Sequence, residues 1–192
     1  MASNQSHKLE LGVRLPHPQP SNKYSMFQKL EIPIANLDID KLKGDQTSQF
    51  GSVFSEFNLK NRDYLFNELH DKVKFNIQPN LINITEIKGP GTHPHKDNWP
   101  VALNFYLNSE NGITTIFKEK SVTAYRSTNS YSLFPIKNLE VIGEYCVHQN
   151  DWYLLNTWEV HTVKVEIGKT RSILRFVWRF HTFNKVVDSI EF

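Results

Sequence analysis

Short runs of β-branched and aromatic residues, separated by Asn, Gly, Pro or Lys, dominate the chain after residue 75. Such runs predict strands of antiparallel sheets, and their number is about what a two-sheet jelly roll requires. The predicted strands are Leu81–Ile87, Val101–Leu107, Ile113–Phe117, Val122–Tyr125, Tyr131–Phe134, Leu139–Val147, Trp152–Leu155, Val160–Val165 and Ser172–Phe180.

The N-terminal segment follows a different pattern. Residues 1–25 are polar and contain three closely spaced prolines, which predicts an extended or partly mobile arm. Met26–Ile34 has the apolar rhythm of a strand and is interrupted by Pro33. Because proline cannot donate to a strand ladder, we expect this strand at the edge of a sheet.

The segment 47–73 shows helical rather than strand periodicity. Apolar residues recur at a spacing of three and four positions, which predicts two amphipathic helices, broken near 58–61, that pack against a sheet. The residues of the two patterns are Phe50, Phe54 and Phe57, then Leu65, Leu69 and Val73. The predicted architecture is one mainly β domain over 1–192, with a jelly-roll core at 75–183 and flanking N-terminal helices.

Composition limits the classes of function. A chain of 192 residues with 39% hydrophobic residues and 13 Phe is globular rather than disordered. The net charge of +2 includes no cluster of Lys and Arg, which argues against nucleic-acid and membrane partners. The single Cys146 fits a reducing compartment, and neither a signal peptide nor an apolar run of about 18 residues is present. We therefore expect a cytoplasmic protein; its oligomeric state is not indicated.

Candidate metal ligands lie near the middle of the chain. If residues 95–97 are extended, the two-residue period of a strand places His95 and Asp97 on one face. His161, in an apolar strand-like segment, is the candidate third ligand. Two histidines and one carboxylate form the ligand set of non-haem Fe(II) oxygenases. His93 is an alternative ligand, but Pro94 indicates that the strand begins near His95, so we assign His93 to the rim or to the surroundings of the metal.

The residues around these ligands resemble the Fe(II)/2-oxoglutarate-dependent dioxygenases over about residues 80–180. The similar motifs are His95-x-Asp97, Tyr106-Leu107-Asn108 with Gly112 and Thr114–Thr115, and His161 with Gly168 and Arg171 seven and ten residues later. These resemble the prolyl-hydroxylase-like branch. Pro90-Gly91-Thr92 and Leu155-Asn156-Thr157 are more similar to the aspartyl/asparaginyl-hydroxylase-like branch.

The resemblance implies a double-stranded β-helix that uses Fe(II), 2-oxoglutarate and O2 to hydroxylate an unactivated C–H, with release of succinate and CO2. His95, Asp97 and His161 would be the metal ligands and the catalytic centre. Relatives that halogenate lack the carboxylate, so Asp97 favours hydroxylation. The substrate implied is an amino acid or a peptidyl residue, as a small molecule or within a peptide.

The resemblance also implies a binding site for 2-oxoglutarate. Arg171 would bind the far carboxylate with its planar fork; a surface ion pair with Glu166 is the alternative, and Arg175, on the same strand face, is the substitute candidate. Alternation along 102–107 directs Asn104 and Tyr106 towards the cavity. By resemblance Tyr106 would donate its hydroxyl to the same carboxylate, while an aromatic core residue is the alternative.

Two other classes of function fit the sequence. A non-catalytic jelly-roll module could use the cavity to bind a ligand, although it need not retain the full set of metal ligands. A cupin-like metal enzyme could work without 2-oxoglutarate, although such sites are richer in histidine and do not require Arg171.

Overall fold

The computed structural model describes residues 26–33, 37–108, 112–120, 124, 126–127 and 131–192. Its strands are β1 (Phe27–Leu30), β2 (Lys43–Phe50), β3 (Phe54–Leu59), β4 (Lys74–Phe75), β5 (Leu81–Lys88), β6 (His95–Asp97), β7 (Val101–Asn108), β8 (Ile113–Glu119), β9 (Arg126–Ser127), β10 (Tyr131–Leu133), β11 (Leu139–Cys146), β12 (Trp152–Asn156), β13 (Val160–Lys164), β14 (Thr170–Trp178) and β15 (Ile190–Glu191). Its helices are α1 (Ile39–Leu42), α2 (Arg62–Leu69) and α3 (Phe183–Val187), with a 3-10 turn at Ile136–Asn138. The arm predicted over 1–25 and most of the strand predicted at 122–125 lie outside the described residues.

Two antiparallel sheets form the body of the fold. One has seven strands in the order β1-β12-β7-β14-β5-β3-β2, and the other has six in the order β11-β8-β13-β6-β10-β9. From β5 to β8, and again from β11 to β14, successive strands alternate between the two sheets. This alternation defines a double-stranded β-helix of the cupin-like jelly-roll class, and the mainly β prediction is confirmed.

The seven-stranded sheet packs against other elements on both of its faces. Alternate residues of its central strands are apolar on one face and a mixture of apolar and polar on the other. On β7, Leu103, Phe105 and Leu107 belong to a core that also contains Leu65 and Leu69 of α2. On the opposite face of β7, Tyr106 belongs to a second core, between the sheets. The alternation predicted along 102–107 is therefore confirmed, and the face that looks between the sheets is the one available to a site.

The prediction of a helix over the first part of 47–73 is wrong. Lys43–Phe50 and Phe54–Leu59 form a hairpin through a turn at Gly51, whose positive φ of 64° suits glycine. Strand β3 pairs with β5, so long-range backbone hydrogen bonds override the local spacing of the phenylalanines. Their spacing of three then places Phe54 and Phe57 on opposite faces of the sheet, in the two different cores.

The second predicted helix and the predicted edge strand are present, although each is shorter than the sequence pattern indicated. Helix α2 occupies Arg62–Leu69 and begins at Asn61, whose side-chain oxygen accepts the amide hydrogen of Tyr64 at 2.9 Å. Strand β1 is an edge strand of the seven-stranded sheet. In the part of the chain that the structure describes, no helix is long and apolar enough to cross a membrane.

Candidate metal centre

Strands β6 and β13 bring the three predicted ligands together. His95 and His161 are directly opposite each other in this antiparallel pair, with ring centroids 4.3 Å apart. Asp97 lies two residues along β6 on the same face, and its Oδ1 is 3.7 Å from Nε2 of His95. One ligand atom from each of the three residues lies within 4.8 Å of the others. The cluster fits a divalent metal bound by two imidazoles and one carboxylate.

Each histidine ring is oriented by the backbone carbonyl two residues before it in the chain. Nδ1 of His95 bonds to the carbonyl of His93 at 2.8 Å, and Nδ1 of His161 bonds to the carbonyl of Glu159 at 3.0 Å. Because a carbonyl only accepts, Nδ1 of each ring is the protonated nitrogen and Nε2 keeps its lone pair for a metal. The side chain of His93 is exposed, and it is the carbonyl of this residue that positions His95.

Burial keeps His95 neutral. It lowers the pKa of His95 from 6.5 to about 4, assisted by the charge of His161 and opposed by that of Asp97. A metal competes with a proton for the imidazole nitrogen. A neutral ring at physiological pH therefore suits His95 for metal binding.

A narrow cavity of about 50 Å³ extends from the metal cluster between the two sheets. Its walls mix apolar side chains with polar and charged ones, among them Asn104, Tyr106 and Arg171. We call this space the inner chamber. It contains the candidate metal ligands together with all three residues that the sequence assigned to 2-oxoglutarate, and its apolar lining residues are Phe54, Ile87, Ala102, Leu155, Val163 and Ile173.

Arg171 is a buried cation of the inner chamber. The residue is 1% exposed; its Nη2 donates to Oγ1 of Thr114 at 3.1 Å, and its Cζ lies 4.4 Å from the centre of the Tyr106 ring. Nε and Nη1 are buried without a hydrogen-bond partner. Among the described residues no carboxylate pairs with Arg171, and Glu166, the alternative partner, is exposed. A buried uncompensated charge is unfavourable, so this guanidinium fits a site for an anion.

Two neighbours of Arg171, Gly112 and Tyr145, influence its position and its electrostatic environment in ways that the sequence did not indicate. A Cβ at Gly112 would lie 3.2 Å from Cδ and Nη1 of Arg171, so glycine leaves room for the guanidinium. Tyr145 of β11 lies close enough to Arg171 and Tyr106 to interact electrostatically with both, and burial raises the pKa of Tyr145 well above its ordinary value. Gly112 was visible in the sequence motif, whereas the position of Tyr145 depends on the pairing of β11 with β8.

Arg175 lies in a different electrostatic environment. It forms an ion pair with Glu56 of β3, and its Nε donates to Oδ1 of Asn83 at 3.3 Å. A guanidinium that already has a carboxylate partner is less suited to a second anion. Arg171 is therefore better placed than Arg175 to bind an anion.

No protein-family model and no curated protein sequence matches the chain. Similar solved structures include vicilin from Capsicum annuum, at 14% identity over 72% of this chain and 31% of that chain, with a TM-score of 0.41. A mutant of Bacillus subtilis oxalate decarboxylase matches at 6% identity over 72% and 29%, with a TM-score of 0.38. Escherichia coli ycfD matches at 13% identity over 59% and 29%, also at 0.38. The chain thus spans about 30% of the length of the solved structures that it matches. TM-scores this low say nothing about chemistry; the fold and the cluster define a jelly-roll protein with a candidate metal site.

Proposed function

We propose that this protein is an Fe(II)- and 2-oxoglutarate-dependent oxygenase that hydroxylates an unactivated C–H of an amino acid or peptidyl residue and forms succinate and CO2. The proposal rests on one observation: the metal cluster and a buried cation without a counter-ion share the same chamber. A jelly-roll module that only binds a ligand needs no metal ligands, and a metal enzyme that does not use 2-oxoglutarate has no need of Arg171.

His95, Asp97 and His161 would hold the iron through two imidazole nitrogens and one carboxylate oxygen. Fe(II) bound by such a set supplies the chemistry of oxygen activation, because the remaining coordination positions stay open. The backbone carbonyls that accept from the two Nδ1 atoms fix the rings, so the ligands are oriented before metal arrives.

Arg171 would bind the far carboxylate of 2-oxoglutarate with one edge of its guanidinium, because Nε and Nη1 are unpaired and Nη2 has a second hydrogen besides the one donated to Thr114. Two parallel charge-assisted hydrogen bonds specify both the charge and the direction of the cosubstrate. The ring of Tyr106 lies against the guanidinium, and Asn104 offers a buried amide oxygen without a partner. Burial of Arg171, Tyr106 and Asn104 between the two sheets keeps the dielectric low around them, which strengthens binding of the charged cosubstrate.

An anaerobic titration tests the proposal. Fe(II) is added to metal-free protein, then 2-oxoglutarate, and the visible charge-transfer band of the chelated complex is recorded. We expect the band in the wild type and in His70→Ala, a matched change of an exposed histidine. We expect no band in His95→Ala, Asp97→Ala or His161→Ala, with circular dichroism showing that each still folds.

A second assay measures succinate formation in air, with a panel of free and blocked amino acids as candidate substrates. Full turnover by one of the three ligand variants would remove that residue from the assignment. Iron binding without the 2-oxoglutarate band would favour a metal enzyme of another type. Absence of both would leave a binding module.

A further inference from the structure

A second, wider cavity opens next to the metal cluster. It has a volume of about 490 Å³ and shares His95 and Asp97 with the inner chamber. This volume lies in the range of pockets that enclose a small organic ligand. We call it the outer cavity; its position beside the metal makes it the place where a substrate carbon could approach the reacting centre.

The walls of the outer cavity are largely apolar. Among the described lining residues, the charged side chains besides His93 and the candidate metal ligands are Glu56 and Arg175, and Tyr131 adds a phenol. The apolar and aromatic wall consists of Val53, Phe54, Pro90, Trp99, Tyr131 and Leu133. The chemical preference of the cavity therefore depends strongly on how the charges of Glu56 and Arg175 are arranged.

Glu56 neutralises Arg175 and is itself fixed in place. One carboxylate oxygen of Glu56 accepts from Arg175 and from Nδ2 of Asn83, the latter at 3.1 Å. The other oxygen accepts from Oγ of Ser48 at 2.7 Å. With both oxygens engaged, the carboxylate stays beside the guanidinium, and a second carboxylate entering the cavity would be repelled by it.

Arg175 nevertheless keeps hydrogen-bonding capacity. The residue is 7% exposed and lines both cavities, and its Cζ lies 5.1 Å from the centre of the Trp99 ring. Its Nε and Nη2 are used, whereas Nη1 has no bond within the described ranges. Nε1 of Trp99 is also buried without a partner. The outer cavity thus offers donors whose charge is already balanced, in contrast to the uncompensated Arg171.

We propose that the Glu56–Arg175 pair, packed on Trp99, makes the outer cavity a binding site for an uncharged acceptor oxygen such as an amide carbonyl, and that it discriminates against carboxylates. This inference rests on the proposed function insofar as the ligand is called a substrate. It selects amide-blocked compounds over free amino acids, and it assigns the selection to Glu56.

Matched probe pairs test this inference. N-acetyl-L-leucinamide and N-acetyl-L-leucine differ only in an amide against a carboxylate, and the same pairs are made with proline, asparagine and phenylalanine. Dissociation constants for the full chain are measured by ligand-detected NMR. For the pair that binds best, we expect the amide to bind at least about tenfold more tightly than the carboxylate, since only the amide avoids the charge of Glu56.

Glu56→Gln removes the compensating charge and keeps the size of the side chain. In this variant we expect the carboxylate probe to gain about tenfold in affinity and the preference for the amide to disappear. The control is Glu86→Gln, which removes the same charge from an ion pair with Lys43 outside both cavities and should retain the wild-type preference. Equal or tighter binding of the carboxylate by the wild type, failure of every amide to bind, or an unchanged preference in Glu56→Gln would overturn the inference.

The two proposals can fail separately. Amide-selective binding by a protein that shows no Fe(II) and 2-oxoglutarate band would refute the oxygenase and retain the selective cavity. The band together with equal binding of both probes would do the reverse.

Discussion

Arg171→Met should have opposite effects on stability and on cosubstrate binding. In the ligand-free protein the substitution removes a buried cation that no described carboxylate compensates, and replacing buried charge by an apolar side chain is neutral or stabilising. The losses are one hydrogen bond to Thr114 and the contact of the guanidinium with the Tyr106 ring, each worth about 1 kcal/mol. We expect the free energy of unfolding to stay constant or to rise by up to about 2 kcal/mol.

Binding of 2-oxoglutarate should weaken strongly in the same variant. One edge of the Arg171 guanidinium can form two charge-assisted hydrogen bonds to a carboxylate, each worth about 1.5 to 3 kcal/mol. Their combined loss of about 3 to 6 kcal/mol corresponds to a decrease in affinity of about a hundredfold to ten-thousandfold. Arg171→Lys should fall between, because an ammonium keeps the charge but cannot form two parallel bonds.

Urea unfolding of the metal-free protein and anaerobic 2-oxoglutarate titration with Fe(II) measure the two effects. Arg175→Met is the matched control on the same strand: it leaves the partly buried carboxylate of Glu56 without its cation and should destabilise the protein by about 2 to 3 kcal/mol. Destabilisation of Arg171→Met to the same extent would refute the argument that its charge is uncompensated. An unchanged 2-oxoglutarate affinity would refute its role in binding.

Three further predictions concern the metal ligands and their surroundings. Asp97→Ala should lose Fe(II) binding in a calorimetric titration. His93→Ala should bind Fe(II) with near-normal affinity, because His93 orients His95 through its backbone carbonyl and not through its side chain. Loss of metal binding in His93→Ala would mean that the wrong histidine was assigned. The lowered pKa of His95 keeps this ring unprotonated in the folded state, whereas in the unfolded chain it takes up a proton near pH 6.5. The free energy of unfolding without metal should therefore fall by about 2 to 3 kcal/mol as the pH drops from 6.5 to about 4. Urea unfolding of the wild type and of His95→Gln tests this, and an equal loss of stability in acid for both proteins would contradict it. Gly112→Val should displace the guanidinium of Arg171 and weaken 2-oxoglutarate binding at unchanged Fe(II) affinity, whereas unaltered binding of both would show that the side chain can yield.

Most of the β core could be predicted because its signals are local. Alternation along β7 separated Leu103 and Phe105 from Asn104 and Tyr106, and the structure has the same two faces. The metal ligands were predictable for a related reason, since a two-residue spacing on a strand places His95 and Asp97 on one face. The pairing with His161 is long-range; that histidine was proposed because it lies in an apolar, strand-like segment, and the family resemblance supported the choice.

The hairpin at 43–59 could not be predicted from its own residues. Three phenylalanines at helical spacing were interpreted as one helix face, whereas the segment extends a sheet by pairing with β5, which lies more than twenty residues further along the chain. This error also hid the partner of Arg175, because Glu56 was assigned to a helix outside the sheet. The outer cavity was missed for the same reason, since β3 and the turn before it form part of its wall.

Both candidate ligand histidines take their orientation from carbonyls two residues earlier in the chain, just before strands β6 and β13 begin. The orientation of the two rings therefore depends on the backbone register, and these two hydrogen bonds require no particular neighbouring side chain. Substitutions in the surrounding walls could then accumulate without turning either imidazole away from the metal. Such an arrangement would let the walls of both cavities diverge through evolution while the candidate metal centre keeps its geometry.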